Sequence, residues 1–455
     1  MSFSAKEGKE MNKSFQSNFN SQDQGKMVSS IRAIREKAFL RFNELGFPTT
    51  KSEEWKYTNV LPLTQTPFSL PKDIYEVPDY ERVKQYTLEN LPGPKIIFVN
   101  GRFVDELSQL KAHLPKGVKI YSFQNMFLQD QYQNLDPFDR QCLEKHLAHH
   151  ALYQDQPFVT LNTAFIKNGL FIRFRKGTIV EKPIQVIFFS TNKGENFVTH
   201  PRSLIVLEEG AQANLITSYV GLSENAYFSN PVDEIVLEKN SLLNHYKIQW
   251  ESRKAYHISH IQVDQEQNSH YISHNYSFGG HLVRNDINSL LDDEGAECTF
   301  NGLFVAGENQ HVDHHTLVDH VMPNCNSREY YKGILSGKAQ GVFNGKIIVR
   351  PDAQKTNAIQ SNKNLLLSKD ATIDTKPQLE IFANDVKCTH GATVGQLDEN
   401  AQFYLQTRGI NKDQAHQILI EAFAKEITNQ IKIDALKHHI ENLLISSLKF
   451  LGELN

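Results

Sequence analysis

IVLEEGAQANLI (residues 205–216), IVLEKNSLLNHY (235–246) and IQVDQEQNSHYI (261–272) share one pattern. An apolar run is followed by two or three mostly polar positions, a turn residue, and then Ala or Ser. The pattern returns in SLLDDEGAECTF (289–300), GILSGKAQGVF (333–343), IIVRPDAQKTNA (347–358) and LLLSKDATIDTK (365–376). Short β-rich runs closed by Gly, Asn or Asp read as strands. Their spacing is irregular, which argues against a propeller or a leucine-rich array of fixed period. Stacked coils with variable loops fit instead, each rung too small to fold alone and burying its apolar face on its neighbours. From about residue 158 to about residue 408 the expected architecture is a right-handed parallel β-helix. An antiparallel sandwich or jelly roll is the alternative, and the sustained recurrence favours the solenoid.

On either side of this region the period changes. Residues 28–46 carry Ile31, Ile34, Ala38, Phe39 and Phe42 at helical spacing, and Gly46 ends the run. KIIFVNGRF from residue 95 is strand-like, and a second helical pattern covers residues 137–152 around Phe138, Leu143, Leu147 and Leu152. Residues 28–157 are therefore expected to form a mixed helical N-terminal domain. After the β-rich region, Asn411 with Gln414 makes a loose capping-box start. Ile418, Leu419, Ala422, Phe423, Ile427 and Ile431 then mark one helix face, and a second amphipathic stretch starts at Asp434. Residues 409–455 are expected to be helical, either capping the solenoid's open edge or docking a partner.

Composition narrows the function. The 455 residues are 40% hydrophobic and 22% charged, with net charge −4. That balance and a pI of 6.6 argue against a nucleic-acid surface, and no apolar run is long enough to span a bilayer. Cys142, Cys298, Cys325 and Cys388 are scattered, which fits free thiols in a reducing, cytoplasmic setting. Residues 1–27 have no apolar signal region and read as a disordered polar leader. There is no G-x-x-x-x-G-K-[ST] cradle, so the chain is not expected to bind ATP, and common hydrolase and dinucleotide motifs are missing too.

Two stretches have ligand chemistry. In HVDHHTLVDH (311–320), a strand would put His311, Asp313 and His315 on one face and His314 on the other. Three N/O ligands suit zinc or ferrous iron, as in a metal-dependent β-helix enzyme. The competing role is hydrogen bonding across rungs or at a subunit interface, because positions i, i+2 and i+4 fan along a strand rather than converge. In NDVKCTHGATVGQL (384–397), Cys388 and His390 would share a strand face about 7 Å apart along the chain. Thiolate and imidazole bind iron and iron–sulfur clusters, but a cluster usually takes about four ligands. Either other residues complete the set, or Cys388 is a buried thiol beside a surface histidine.

The colinear stretch over residues 343–410, together with SEEWKYT (52–58), FVTLNTAFIKNGLFIRF (158–174), HVDHHTLVDH and REYYKGIL (328–335), resembles the SufB/SufD family of iron–sulfur cluster assembly subunits. Within that family it is similar to the SufD type, with Thr389-His390-Gly391-Ala392 where SufB chains carry a Glu-His-Glu-Ala sequence. The similarity spans residue 30 to the C-terminus and leaves out the leader. It implies a non-catalytic scaffold subunit of a SufBCD complex that pairs through its β-helix with a SufB-type chain. It also implies that a SufC-type ATPase binds the C-terminal helices, at a face including Ile418, Phe423 and Ile427. Cys388 and His390 would then lie at a transient iron–sulfur cluster site whose other ligands come from the SufB-type chain. A homodimer of this chain is a further possibility in isolation.

Overall fold

The recurring turn residue has a backbone cause. Gly210, Asn240, Asn268, Gly295, Asn324 and Lys355 occupy equivalent corners of successive rungs, all with φ between 54 and 72°. Left-handed backbone is free of a Cβ clash only for Gly, and among other residues Asn tolerates it best. The residue after each corner is small and at most 1% exposed: Ala211, Ser241, Ser269, Ala296, Cys325 and Thr356. It fills the tight inside of the bend, where a larger side chain would collide with the rung beside it.

The computed structural model describes residues 15–20, 27–71, 78–88, 90–110, 114–191, 194 and 196–452. The corners join two parallel sheets into a solenoid of about eight turns. One sheet stacks the strands Gly169–Phe174, Arg202–Leu207, Val232–Leu237, Tyr256–Gln265, Leu282–Leu291, His311–His320, Gln340–Val349 and Thr372–Ile381. The other stacks Ile184–Ser190, Gln212–Gly221, Leu242–Glu251, His270–Gly279, Glu297–Ala306, Asn326–Leu335, Asn357–Leu366 and Lys387–Gly395. The solenoid expectation holds, and the parallel pairing removes the sandwich alternative. Registered partners lie as little as 26 residues apart (Tyr256 and Leu282) and as much as 33 (Gly169 and Arg202), the irregularity seen in the sequence. Inside, side chains stack rung on rung, as in the column Ile205, Ile235, Val263, Ser289, Val318, Ile347 and Leu379.

The N-terminal region closes the first rung. Lys95–Val99 adds a parallel strand to Ile184–Ser190, and Val118–Ser122 an antiparallel one to Gly169–Phe174. The helix Ser29–Leu45 forms as expected, ended by the Gly46 N–H bonding the Phe42 carbonyl. The second expected helix is shorter: Pro137–His146 stops where Ala148 turns left-handed. The following loop is held by the buried Glu234 carboxylate, which accepts from the Ala148, His150 and Ala151 amides and pairs with Arg202 at 2.7 Å.

Three boundaries differ from the sequence expectation. Pro157–Ala164 is a helix buried on every side, so it lacks the amphipathic period that reveals a helix, and the solenoid starts at Gly169. Glu399–Thr407 is helical although it lies inside the range expected to be β. Part of the expected disordered leader is ordered: residues 15–20 are helical, and Phe15 and Phe19 pack on Phe42, Phe39 and Phe165. Two aromatics four residues apart outweigh the polar composition around them. The rest of residues 1–26 lies outside the described residues.

At the other end, Lys412–Thr428 and Asp434–Phe450 lay Ile420, Ala424, Ile427, Leu436, Ile440, Leu444 and Leu448 against Tyr246, Ile248, Tyr276, Phe278, Leu303 and Ile334 on the outside of the second sheet. Each large apolar side chain buried this way contributes about 1.5–3 kcal/mol. Asn411 caps the first of these helices by accepting from the Gln414 amide.

Lys355 is the corner residue least suited to its backbone. Replacing it by Asn should raise stability by about 0.5–1 kcal/mol, measurable as a higher urea midpoint with an unchanged m-value.

Candidate functional site

Lys387–Gly395 and Thr372–Ile381 are the last strands of their sheets, so each has one paired edge and one free edge. On Lys387–Gly395, Cys388 registers with Ala358 and His390 with Gln360. Ala358 and Gln360 are at most 1% exposed and point into the solenoid. Cys388 and His390 therefore face the lumen from the final rung, with no further rung above them. Cys388 is half-buried and His390 exposed. A Cβ added at Gly391 or Gly395 would meet nothing within 4 Å, so the strand is open on that side. On the last rung Ile381, Phe382 and Val394 are 40–60% exposed apolar side chains, and Ile359, on the outer face of the rung beneath, is 43% exposed.

Burial pushes the Cys388 thiol up, partly offset by a hydrogen bond with the Ala358 backbone. The free thiol thus stays protonated at neutral pH, and a metal would have to displace the proton. The strand brings a soft sulfur donor and an imidazole to one face, as expected. It supplies half a ligand set: among the described residues, no group of three His, Cys, Asp or Glu side chains is placed to hold an ion.

The strand His311–His320 divides its residues as a strand must. His314, Thr316 and His320 point inward, whereas His311, Asp313 and His315 point outward beneath residues 52–58. The Thr58 hydroxyl donates to Asp313 Oδ2 at 2.5 Å and accepts from His311 Nε2 at 2.8 Å. Arg284 bonds the Glu54 carbonyl at 2.5 Å, pairs with Asp313 at 3.2 Å, and lies 3.8 Å from the centre of the Trp55 ring. Glu53 pairs with Lys376 at 2.5 Å, on the last rung. The histidine-rich motif is thus the receiving half of a clasp, with its outward donors engaged by the N-terminal segment. Nothing in the sequence paired SEEWKYT with HVDHHT, because they lie more than 250 residues apart.

The three side chains expected to meet an ATPase separate. Ile427 is fully buried against the solenoid. Phe423 is partly buried there too, its ring 4.1 Å from Lys332 Nζ and its carbonyl accepting from that ammonium at 2.7 Å. Ile418 alone is exposed, at 42%. A helix face cannot serve the core and a partner at once, and the solenoid takes the Ile427 side. Sequence reasoning missed Phe403 and Tyr404, 67% and 58% exposed on Glu399–Thr407, a helix with no buried residue.

Burial opposes charge on His315, but Asp313 at 3.1 Å outweighs it and carries the pKa up to about 9. Such a group stabilises the fold fully below its unfolded value of about 6.5, and the gain is lost as pH rises through about 9. His315→Gln should therefore cost on the order of 3 kcal/mol near pH 6. The gap to the parent chain should shrink steadily towards pH 10 in urea unfolding.

Comparison with known proteins gives a consistent result. Residues 188–423 match the family "SUF system FeS cluster assembly, SufBD core domain", and residues 7–186 match "SufBD protein N-terminal region". The chain is 33% identical over 398 residues to the iron–sulfur cluster assembly protein SufD of Escherichia coli (strain K12), covering 87% of this chain and 88% of that protein. It is 31% identical over 401 residues to an iron–sulfur cluster assembly SufBD family protein of Synechocystis, covering 86% of each. It is 30% identical over 435 residues to protein ABCI7, chloroplastic, of Arabidopsis thaliana, covering 91% and 86%. The N-terminal match starts at residue 7, ahead of the boundary drawn from sequence.

Proposed function

This chain belongs to the SufBD family of iron–sulfur cluster assembly proteins, and from that premise we propose that it is a non-catalytic scaffold subunit of a SufBCD-type complex. Its open solenoid end pairs with a SufB-type chain, and Cys388 and His390 there contribute to a nascent cluster shared with that partner. One observation carries this: an incomplete sulfur–nitrogen donor pair sits at the mouth of an uncapped β-solenoid, beside exposed apolar side chains. Free edge strands invite pairing with another chain unless they are covered, and a partner strand laid on this edge would bring its own ligands to the pair. A SufC-type ATPase would dock on the exposed side of the C-terminal helices, at Ile418, Phe403 and Tyr404, supplying the nucleotide chemistry for which this chain has no motif. A reducing compartment such as the cytoplasm suits the four free thiols. No helix among the described residues is long and apolar enough to cross a membrane.

Anaerobic reconstitution tests the site, using this chain alone, with a SufB-type chain, and with SufB- and SufC-type chains together. Iron, sulfide and visible absorption should show cluster loading that depends on the partner and falls at least about tenfold in Cys388→Ala or His390→Ala. Full loading in both variants would take these residues out of the mechanism.

The surfaces are separable. Phe382→Asp with Ile359→Asp should weaken pairing with the SufB-type chain by about tenfold or more in sedimentation experiments. Ile418→Asp with Tyr404→Ala should weaken capture of the ATPase and leave that pairing intact.

A further inference from the structure

Residues 45–55 and 155–159 roof part of the outer face of the first sheet, and beneath them lies a cleft of about 660 Å³. That size is in the range of small-molecule sites, which favour the boundary between two structural units. One wall is aromatic. Phe47, Trp55 and Phe158 line it as a row of rings, with centroids 5.6 Å apart for Phe47 and Phe158 and 5.2 Å apart for Trp55 and Phe158. The floor is polar. His260, Asp286, His315 and Asn344 form one registered column across four rungs. The column beside it contributes the half-buried amides of Asn288 and Gln378.

Charge in the cleft is balanced within the protein. Arg284 pairs with Asp286 at 2.9 Å, Lys346 with Glu380 at 2.7 Å, Asp155 with Arg41 at 3.2 Å and Glu54 with His315 at 3.6 Å. These pairs account for every ionised side chain that lines it. Burial keeps His260 neutral, its pKa lowered to about 4. A charged ligand would have to break one of these pairs or lie unpaired beside them.

Hydrogen-bonding capacity, in contrast, is left over. Asn230 Oδ1, His260 Nε2 and Asn344 Oδ1 have no protein partner, although each residue is at most 8% exposed. Asn230 Nδ2 donates to the Phe158 carbonyl at 3.0 Å, which leaves its oxygen as the free acceptor. Unpartnered polar atoms also occur inside the solenoid. These three differ in belonging to residues that line a cleft outside it, opposite an aromatic wall. An unsatisfied buried polar group costs about 1–3 kcal/mol, so a ligand that meets them gains more than contact area.

We propose that this cleft binds an uncharged planar heterocycle carrying both hydrogen-bond donors and acceptors on its edge, as a nucleobase does. The ring lies against the aromatic wall, where stacking of a base contributes about 1–3 kcal/mol. The edge meets the side chains of Asn344 and His260. Amides and a neutral imidazole each offer a donor and an acceptor, which suits such an edge better than an aliphatic or ionic ligand. The assignment does not depend on the cluster site proposed above.

Uridine and adenosine are the probes, added to the full chain, with binding read by ligand-observed saturation-transfer NMR. At least one should bind with a Kd below about 1 mM. The chain has two tryptophans, Trp55 and Trp250. Trp250→Phe therefore leaves Trp55 as the only emitter, and its emission should change along the same titration. His260→Phe and Asn344→Leu should each weaken binding at least about tenfold. Leu317→Phe, which narrows the cleft from a half-buried position and removes no polar group, should do the same at an unchanged melting temperature. No binding of either nucleoside up to about 10 mM overturns the proposal and leaves the cleft to water. Binding that leaves Trp55 emission unchanged and survives all three substitutions overturns it too, since the ligand then sits elsewhere. Tighter binding of benzoate or benzylamine than of both nucleosides would sink the assignment of an uncharged ligand.

Discussion

Rung-on-rung stacking is the constraint on which the structure depends. A single turn of two ten-residue strands buries one face and leaves both edges unpaired, so its stability comes from the turns above and below. The left-handed corners keep those turns in register. Each bends the chain within a few residues and places a small side chain inside the bend, so the next strand starts level with the one beneath it. Every such array has two ends, and they are treated differently here. Lys95–Val99 and Val118–Ser122 pair with the first rung from the chain's own N-terminal region. The last rung leaves two free edges and exposed apolar side chains. Exposed edges of this length are an aggregation hazard, and keeping them makes physical sense where they have an occupant.

A clasp ties the N-terminal segment to the later rungs of the first sheet. Residues 52–58 leave the N-terminal domain, cross the outside of the first sheet and grip its later strands through Arg284, Asp313 and His311. Three interactions of different kinds converge there: a guanidinium over the Trp55 ring, a hydroxyl shared between a carboxylate and an imidazole, and an ion pair from Glu53 to the final rung. Buried charges are weak contributors to net stability, since desolvation cancels much of their attraction, but removing one partner leaves the other stranded at a cost of about 3–5 kcal/mol. The N-terminal segment is held on Leu282–Leu291 and His311–His320, and one ion pair from Glu53 reaches the final rung.

How much of this was legible in the sequence follows from which constraints are local. The corners were readable because positive φ demands Gly or Asn and the bend demands a small follower, and both requirements fall within two residues. The strand carrying Cys388 and His390 was readable for the same reason, since alternation puts i and i+2 on one face. Alternation separates His314 from His315 but does not say which face is inside, so it left open that His314 fills the lumen and His315 lies in the clasp. It gave no sign that Lys387–Gly395 is the last rung, which depends on the whole stack. Ile418 and Ile427 lie on one apolar stripe in sequence, and only the docked helix shows which of them the solenoid covers. Pro157–Ala164 escaped because a helix buried all round has no polar side to reveal its period.

The incompleteness of the donor pair fits a cargo site better than a resident cofactor site. Two donors on an exposed strand hold iron weakly, since a stable iron–sulfur cluster takes about four ligands. On the proposed reading, a subunit that passes its cluster on would gain from this, because the full set would exist only while the partners are together. The protonated Cys388 thiol adds a second condition, since iron must displace a proton that the half-buried site retains at neutral pH. Loading on the proposed scaffold would then require the partner's ligands and release of that proton together. The open end, with two free strand edges beside an incomplete donor pair, is where such a partner would have to sit.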